Sequence, residues 1–160
     1  MWDDQGLLCG RGNALSVEDR LAILETIAQY SYTYDGQDVE GFARLFAEDG
    51  VFEVFVPAKD VAVLRLASQA VIHAWAAKRL GARRGVFTSR HHQSGTLFEQ
   101  LTSNSAKSRT MVLVTHQLLD AALPRLALTG VYHDLWRKTA VGWRFAHRAA
   151  YVDCDPELSV

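Results

Sequence analysis

The fold of this chain is decided by residues 86–152, which read VFTSRHHQSGTLFEQLTSNSAKSRTMVLVTHQLLDAALPRLALTGVYHDLWRKTAVGWRFAHRAAYV. Four long stretches in this segment are rich in β-branched and aromatic residues: 86–101, 107–118, 126–138 and 141–152. Turn-like segments separate them, at 102–105, 120–124 and 139–140. Such a series predicts four strands in an antiparallel meander. Gly95 and Gly130 are the positions at which we expect these long strands to bulge or bend.

The residues before the meander predict helices. Ser16 and Asp19 form an approximate capping box for a first helix. Its apolar face repeats at helical spacing, at Ile23, Ile27, Tyr30 and Tyr34. Gly36, directly after Asp35, can take the left-handed conformation that ends helices.

Two further helices and two short strands complete the N-terminal half. Asp38 can cap a second helix that contains Phe42, Leu45 and Phe46, and residues 48–50 predict a turn. Residues 51–56 predict a first strand and residues 62–66 a short second one. A third helix begins at Ser68, runs through Val71, Trp75 and Leu80, and ends at Gly81.

The order of the elements, helices first and strands afterwards, indicates an α+β fold. We expect a curved antiparallel sheet that encloses a pocket together with three or so N-terminal helices. The length of 160 residues suits one domain. We expect an irregular N-terminal arm at 1–14, the domain at 15–155 and a C-terminal tail at 156–160.

Composition excludes several classes of partner. Lys and Arg number 17 against 18 Asp and Glu, a balance that gives no electrostatic reason to expect nucleic acid or a membrane surface. No apolar run is long enough to span a bilayer, and residues 1–13 do not have the pattern of a secretory signal. The cytoplasm is the expected location. Cys9 and Cys154 lack the spacing of redox or zinc sites, and we give them no role.

Three polar residues stand out as candidates for chemistry. Asp35 is at the C-terminal end of a helix, where the helix dipole disfavours a carboxylate; it is either solvated or paired with a cationic or hydrogen-bonding group. His91 and His92 are consecutive in a strand, so only one of them can face a pocket. His116 shares a strand face with the apolar Val112 and Val114, and is either a functional group or a core histidine bonded to a carbonyl.

Aromatic residues supply candidates for substrate binding. Tyr30 and Tyr34 are one helical turn apart, so either hydroxyl could reach a substrate carbonyl, and the other then packs in the core. Four more aromatic side chains are expected to line the pocket and to suit a flat hydrophobic ligand: Phe52, Phe55, Trp75 and Phe98.

Two long motifs resemble a known family. The stretch VEDRLAILETIAQYSYTYDGQDVEGFARLFAEDGVFEV, residues 17–54, is similar to the opening of SnoaL-like (NTF2-like) domains. The stretch LTGVYHDLWRKTAVGWRFAHRAAYVD, residues 128–153, resembles their last hairpin. With SRHHQSGTLFEQ and VLVTHQ between them, the resemblance covers nearly the whole chain and implies a cone-shaped α+β barrel. Within this family, the chain resembles scytalone dehydratase and bacterial relatives such as bile-acid 7α-dehydratase.

The resemblance assigns roles to the candidates. The run Gly95-Thr96-Leu97-Phe98-Glu99 matches the dehydratase pattern at a fixed interval after its catalytic histidine, which selects His91 over His92. The pattern also implies that Asp35 orients His91 and that His116 is the second catalytic histidine. Tyr34 matches the tyrosine of the scytalone dehydratase pattern and Tyr30 that of the bile-acid dehydratase pattern, so both remain candidates.

Two positions depart from the dehydratase pattern and indicate a different substrate. Tyr132 stands where the pattern has a small polar residue, and Val54 stands where it has a tyrosine that polarises the carbonyl. Scytalone itself is therefore not the expected substrate. We place Tyr132, Val54, Phe55, Trp75 and Val114 in the substrate-binding set.

These observations predict a dehydratase that needs no cofactor or metal and acts on a small hydrophobic carbonyl compound such as a polyketide or steroid. His91 removes a proton, Tyr34 or Tyr30 stabilises the enolate, and His116 assists the loss of water. An isomerase or cyclase that uses the same base, or a non-catalytic binding or accessory subunit, is the alternative. Epoxide hydrolysis would need an Asp-Arg-Asp arrangement, of which Asp35 alone can be placed. We also expect a homo-oligomer, a trimer or else a dimer.

Overall fold

The computed structural model describes residues 16–57 and 59–154. The expected N-terminal arm, the expected tail and Cys9 lie outside these residues. The described elements are three helices and six strands: α1 (Val17–Asp35), α2 (Val39–Arg44), β1 (Phe46–Phe55), β2 (Leu64–Ala67), α3 (Gln69–Gly81), β3 (Phe87–Leu101), β4 (Ser105–Leu118), β5 (Arg125–Thr139) and β6 (Gly142–Val152). None of the described helices has the length and apolar character needed to cross a membrane.

Each helix begins at the capping residue that the sequence indicates. The hydroxyl of Ser16 accepts from the backbone N–H of Asp19, Asp38 accepts from Gly41, and Ser68 accepts from Val71. These caps satisfy N–H groups that have no partner within the helix. The predicted apolar stripe of α1 is buried. In α3 the buried residues are Ile72, Ala76 and Leu80.

The strands form one open, curved sheet in the order β2-β1-β6-β5-β4-β3. All neighbours pair antiparallel except β1 and β6, which are parallel. The predicted meander is therefore confirmed, with strand ends within about two residues of those expected. The expected barrel is not closed, because among the described residues β2 and β3 are the two edges of the sheet.

Three local predictions are wrong in detail. Residues 48–50 lie within β1 as an irregularity in its pairing with β6, because the strand already begins at Phe46. Gly36 is right-handed at φ −78°, and Gln37 takes the positive φ of 60° instead. Gly130 keeps regular register with both neighbours, so it is not a bulge. Gly95, by contrast, has φ +61° at a register shift of β3, as predicted.

The helices lie against one face of the sheet. α1 packs on β3 and β6, while α3 packs on α2 and β1. The core between them is dominated by aromatic side chains, with Phe42, Phe46 and Phe145 essentially inaccessible to solvent. This arrangement places the end of α1 beside the middle of β3, and that junction is the floor of a pocket.

Candidate active site

A cavity of about 660 Å³ lies between the helices and the concave face of the sheet. Its wall is largely apolar and aromatic, and such a cavity suits a small organic ligand. Nine of the twelve residues that the sequence suggested for the site line it: Tyr30, Tyr34, Phe52, Val54, Trp75, His91, Val114, His116 and Tyr132. Asp35 contacts the cavity through His91, and Phe55 and Phe98 lie elsewhere.

Asp35 and His91 are joined by two short hydrogen bonds. The carboxylate Oδ1 lies 2.7 Å from His91 Nδ1, and Oδ2 accepts from the His91 backbone N–H at 2.7 Å. The two side chains are only 7% and 9% exposed. A carboxylate accepts the Nδ1–H proton of a neutral imidazole, which leaves the lone pair on Nε2. His91 can therefore act as a base through Nε2.

His92 points away from this pair. Its ring is exposed and approaches the hydroxyl of Thr115 at 3.2 Å. The alternation of side chains along β3 separates the two histidines, so His91 faces the cavity and His92 faces outward.

Two tyrosines of α1 lie beside His91. The Tyr34 ring centroid is 4.8 Å from that of His91, and the Tyr30 centroid is 6.1 Å away. The Arg83 guanidinium carbon lies 5.3 Å from the Tyr34 ring centroid, and the ring centroids of Tyr30 and Tyr132 are 5.6 Å apart. Burial raises the pKa of Tyr30 well above its usual value and that of Tyr132 to about 12. Both hydroxyls therefore keep their protons at neutral pH.

A buried ion pair packs against the rings of Tyr30 and Tyr132. Arg148 donates to both carboxylate oxygens of Asp134, at 2.8 and 2.9 Å, and both side chains are inaccessible to solvent. The Arg148 guanidinium carbon lies 4.2 Å from the Tyr30 ring centroid and 4.1 Å from that of Tyr132. Neither Asp134 nor Arg148 lines the cavity. The described residues thus show no Asp-Arg-Asp set at the cavity wall.

His116 is on the cavity wall at the end of β4. Burial, followed by the nearby Arg83 and Arg125 charges, lowers the pKa of His116 to about 4. The imidazole is therefore neutral at physiological pH, and it can donate one hydrogen bond and accept another. Ser89 lies opposite His116 in the β3–β4 pairing, and its buried hydroxyl has no hydrogen-bond partner among the described residues.

Two aromatic residues expected at the cavity are placed elsewhere, which corrects the prediction. Phe55 stacks on Tyr151, with ring centroids 4.7 Å apart, because it is out of phase with the cavity-lining Phe52 and Val54 on β1. Phe98 lies beyond the bulge at Gly95, where the Arg20 guanidinium of α1 covers its ring.

The cavity also contains residues that the sequence analysis missed. Arg79, Arg83 and Arg125 line one end, at the C-terminal end of α3 and the start of β5. They lie beside the ends of a helix and a strand, where no periodic pattern in the sequence could identify them.

The Asp134–Arg148 pair, by contrast, left a periodic signal in the sequence. Asp134 alternates with Tyr132 and Trp136, so it lies on the strand face that must be buried. No group of three or more His, Cys, Asp or Glu side chains within 16–57 and 59–154 is arranged to hold a metal ion.

The sequence matches the SnoaL-like domain over residues 15–149. The chain belongs to the SnoaL-like family. A search of curated protein sequences found no significant match. Among solved structures, a variant of the function-unknown protein Rv3472 from Mycobacterium tuberculosis has 29% identity and a TM-score of 0.70, over 89% of this chain and 78% of that one.

Two structures from Novosphingobium aromaticivorans show the same fold. An NTF2-like protein with a cystatin-like fold has 23% identity and a TM-score of 0.72, over 85% of this chain and 82% of that one. A candidate scytalone dehydratase has 21% identity and a TM-score of 0.69, over 90% of this chain and 96% of that one. At these identities the two structures establish the NTF2-like fold of this SnoaL-like protein and leave its reaction open.

Proposed function

We propose that this SnoaL-like protein is a cofactor-independent dehydratase that acts on a hydrophobic carbonyl compound bearing a β-hydroxyl group. The observation that carries the proposal is the Asp35–His91 pair inside a largely apolar cavity. A carboxylate on Nδ1 fixes the tautomer in which Nε2 accepts a proton, and it stabilises the imidazolium that results. A module that only binds a ligand or a partner has no need of such a pair.

In the proposed reaction, His91 Nε2 takes a proton from the carbon next to the carbonyl. The electrons of that C–H bond form an enolate, whose oxygen accepts a hydrogen bond from a tyrosine hydroxyl. The enolate then collapses, the new carbon–carbon double bond forms, and the bond from the β carbon to its hydroxyl breaks. The proton held on Nε2 passes to the leaving hydroxide, so the products are the unsaturated carbonyl compound and water.

In the proposed reaction, His116 and Ser89 bind the leaving hydroxyl group. Both line the cavity, and they face each other on β4 and β3. Because His116 is neutral at physiological pH, it contributes a hydrogen bond, and His91 remains the source of the proton. Because His91 both takes the α proton and returns it to the leaving hydroxide, the proton and the hydroxyl group leave from the same face of the substrate. Isomerisation and ring closure begin with the same proton transfer and differ only in what the enolate does next.

Exchange of α protons tests the proposal without knowledge of the natural substrate. Flat ketones such as 2-tetralone are incubated in D₂O with the protein, and loss of the α-proton signal is followed by NMR. We expect wild type to accelerate exchange, and His91→Ala to lower the enzymatic rate by at least about 100-fold. Asp35→Asn should also be severely impaired, since an amide cannot stabilise the imidazolium.

His92→Ala is the matched control, because it removes the neighbouring histidine from the outer face of the same strand. It should exchange α protons at the wild-type rate. Each variant must first show an unchanged melting temperature. The proposal is wrong if His91→Ala keeps nearly full activity, or if wild type does not exceed buffer with any of a series of one- to three-ring ketones.

A further inference from the structure

One end of the cavity carries several positively charged side chains, although the protein as a whole has almost no net charge. The cavity wall includes Arg79, Arg83 and Arg125, which we call the arginine cluster, and none of its described lining residues is an Asp or Glu. Over the whole chain the formal net charge is −1. The positive charge at this end is therefore a local arrangement and not a consequence of composition.

Arg83 is the most deeply placed member of the arginine cluster. Its guanidinium carbon lies 5.3 Å from the ring centroids of both Tyr34 and Phe87. Its Nε–H is buried and has no hydrogen-bond acceptor among the described residues. A buried donor without an acceptor is costly and uncommon in folded proteins, so it calls for a partner.

Asp35 does not provide that partner. Its hydrogen bonds among the described residues both go to His91, and its carboxylate acts on Arg83 through charge alone. The dipole of α3 favours a basic residue such as Arg79 in its last turn, but it does not account for the buried Nε–H of Arg83. It also does not account for Arg125, which lies on β5 opposite His116.

We infer that the arginine cluster binds an anionic group, a carboxylate or a phosphate, carried by the substrate at the end of the cavity beside Tyr34 and His116. Arginine forms two parallel, charge-assisted hydrogen bonds with such groups. The inference deepens the proposed function, because it defines the substrate as a hydrophobic carbonyl compound with an acidic end. The apolar wall near Trp75 and Val54 then holds the ring system, and the anion fixes its direction in the cavity.

The test measures binding, by calorimetry at pH 7.5, of 2-naphthoate, 2-naphthyl phosphate and the uncharged 2-naphthamide. These ligands share one ring system and lack an acidic α proton, so their affinity does not depend on proton transfer. We expect wild type to bind at least one of the anions about tenfold or more tightly than the amide, the range expected of charge-assisted hydrogen bonds. The anion that binds more tightly identifies the acidic group as carboxylate or phosphate.

Arg83→Gln should reduce this preference to about threefold or less, and Arg125→Gln, an exposed position, should weaken it without risk to folding. Arg44→Gln is the matched control: it makes the same change of charge on α2, outside the cavity, and should keep the preference. Equal affinity of wild type for the anions and the amide, including binding too weak to measure for all three, would overturn the inference. So would a preference that persists when Arg83→Gln and Arg125→Gln are combined.

The two proposals fail separately. His91→Ala should lose α-proton exchange and keep the preference for the anion. If wild type prefers the anion but exchanges no α protons, the arginine cluster is a binding site without the proposed reaction. If exchange depends on His91 and the preference is absent, the reaction stands and the substrate carries no acidic group at this end.

Discussion

Asp35 holds His91 by both the ring and the backbone. Its two oxygens bond the Nδ1 and the main-chain N–H of the same residue, each at 2.7 Å. The ring can therefore neither rotate freely nor exchange tautomers without breaking a short bond in a buried place. A base that is fixed in this way loses little freedom when the substrate arrives, which is the condition for efficient proton transfer.

Tyr34 is the better placed of the two candidate tyrosines. It lies nearer to His91 than Tyr30 does. We expect Tyr34→Phe to lower the α-proton exchange rate by about 100-fold, the scale of an oxyanion-hole donor. Tyr30→Phe should lower it by less than about tenfold, because that ring lies farther from His91 and packs against Tyr132.

Both variants are compared at matched melting temperature, and kcat and KM are determined separately. A loss in kcat with little change in KM is expected for Tyr34→Phe, since the enolate oxygen develops its charge after binding. A larger loss for Tyr30→Phe than for Tyr34→Phe would show that Tyr30 donates to the enolate oxygen and that it acts together with Tyr132.

Much of the site could be predicted because its members carry local signals. Asp35 ends a helix, and His91 precedes a Gly-Thr run that resembles the family pattern. Arg83 was not predicted, since it follows the end of α3 and belongs to no periodic pattern. The Asp134–Arg148 pair was missed although its members are register partners on the β5–β6 hairpin. Phe55 was misplaced because hydrophobicity alone does not fix which face of a strand a residue occupies.

At the scale of elements, the long strands were predictable from their β-branched and aromatic runs. Their ends agree with the structure because Ser, Thr, Asn and Pro fill the connections. The continuation of β1 through Gly50 was not predictable, since a Glu-Asp-Gly sequence normally turns the chain. There the parallel partner β6 supplies the pairing that overrides the local preference.

Position 130 requires glycine because the backbone of β6 approaches it closely, and not because β5 bulges there. A Cβ at this position would lie 2.3 Å from the carbonyl oxygen of Tyr151 and 2.9 Å from the Cα of Val152. We expect Gly130→Ala to lower the free energy of unfolding by about 1–3 kcal/mol, as overpacking does elsewhere, measured by urea denaturation.

Gly81→Ala is the control for this substitution. A Cβ there has no described atom within 4 Å, so stability should change by no more than about 0.5 kcal/mol. An alanine at 130 that unfolds at the wild-type urea midpoint would mean that β5 and β6 separate without cost.

At the scale of the molecule, the convex face of the sheet carries exposed apolar side chains and has no described helix over it. Met111, Leu113 and Leu135 are 55%, 39% and 44% exposed on adjacent strands. Burial of such a patch between copies is favourable, so we expect a homo-oligomer, a trimer or else a dimer. Sedimentation velocity at micromolar concentration measures this, and Leu113→Glu should shift the protein toward the monomer. A wild-type monomer would contradict the expectation.

The parallel pairing of β1 with β6 ties an early part of the chain to a late one. Val51 lies opposite His147, and β2 is attached to the sheet through β1 alone. The β3–β6 meander can assemble from contacts between neighbours in sequence, whereas β1 must close a loop that contains nearly the whole domain. On the ribosome, α1, α2 and β1 therefore emerge long before their docking strand exists. Until β6 has been synthesised, β1 can pair only with β2.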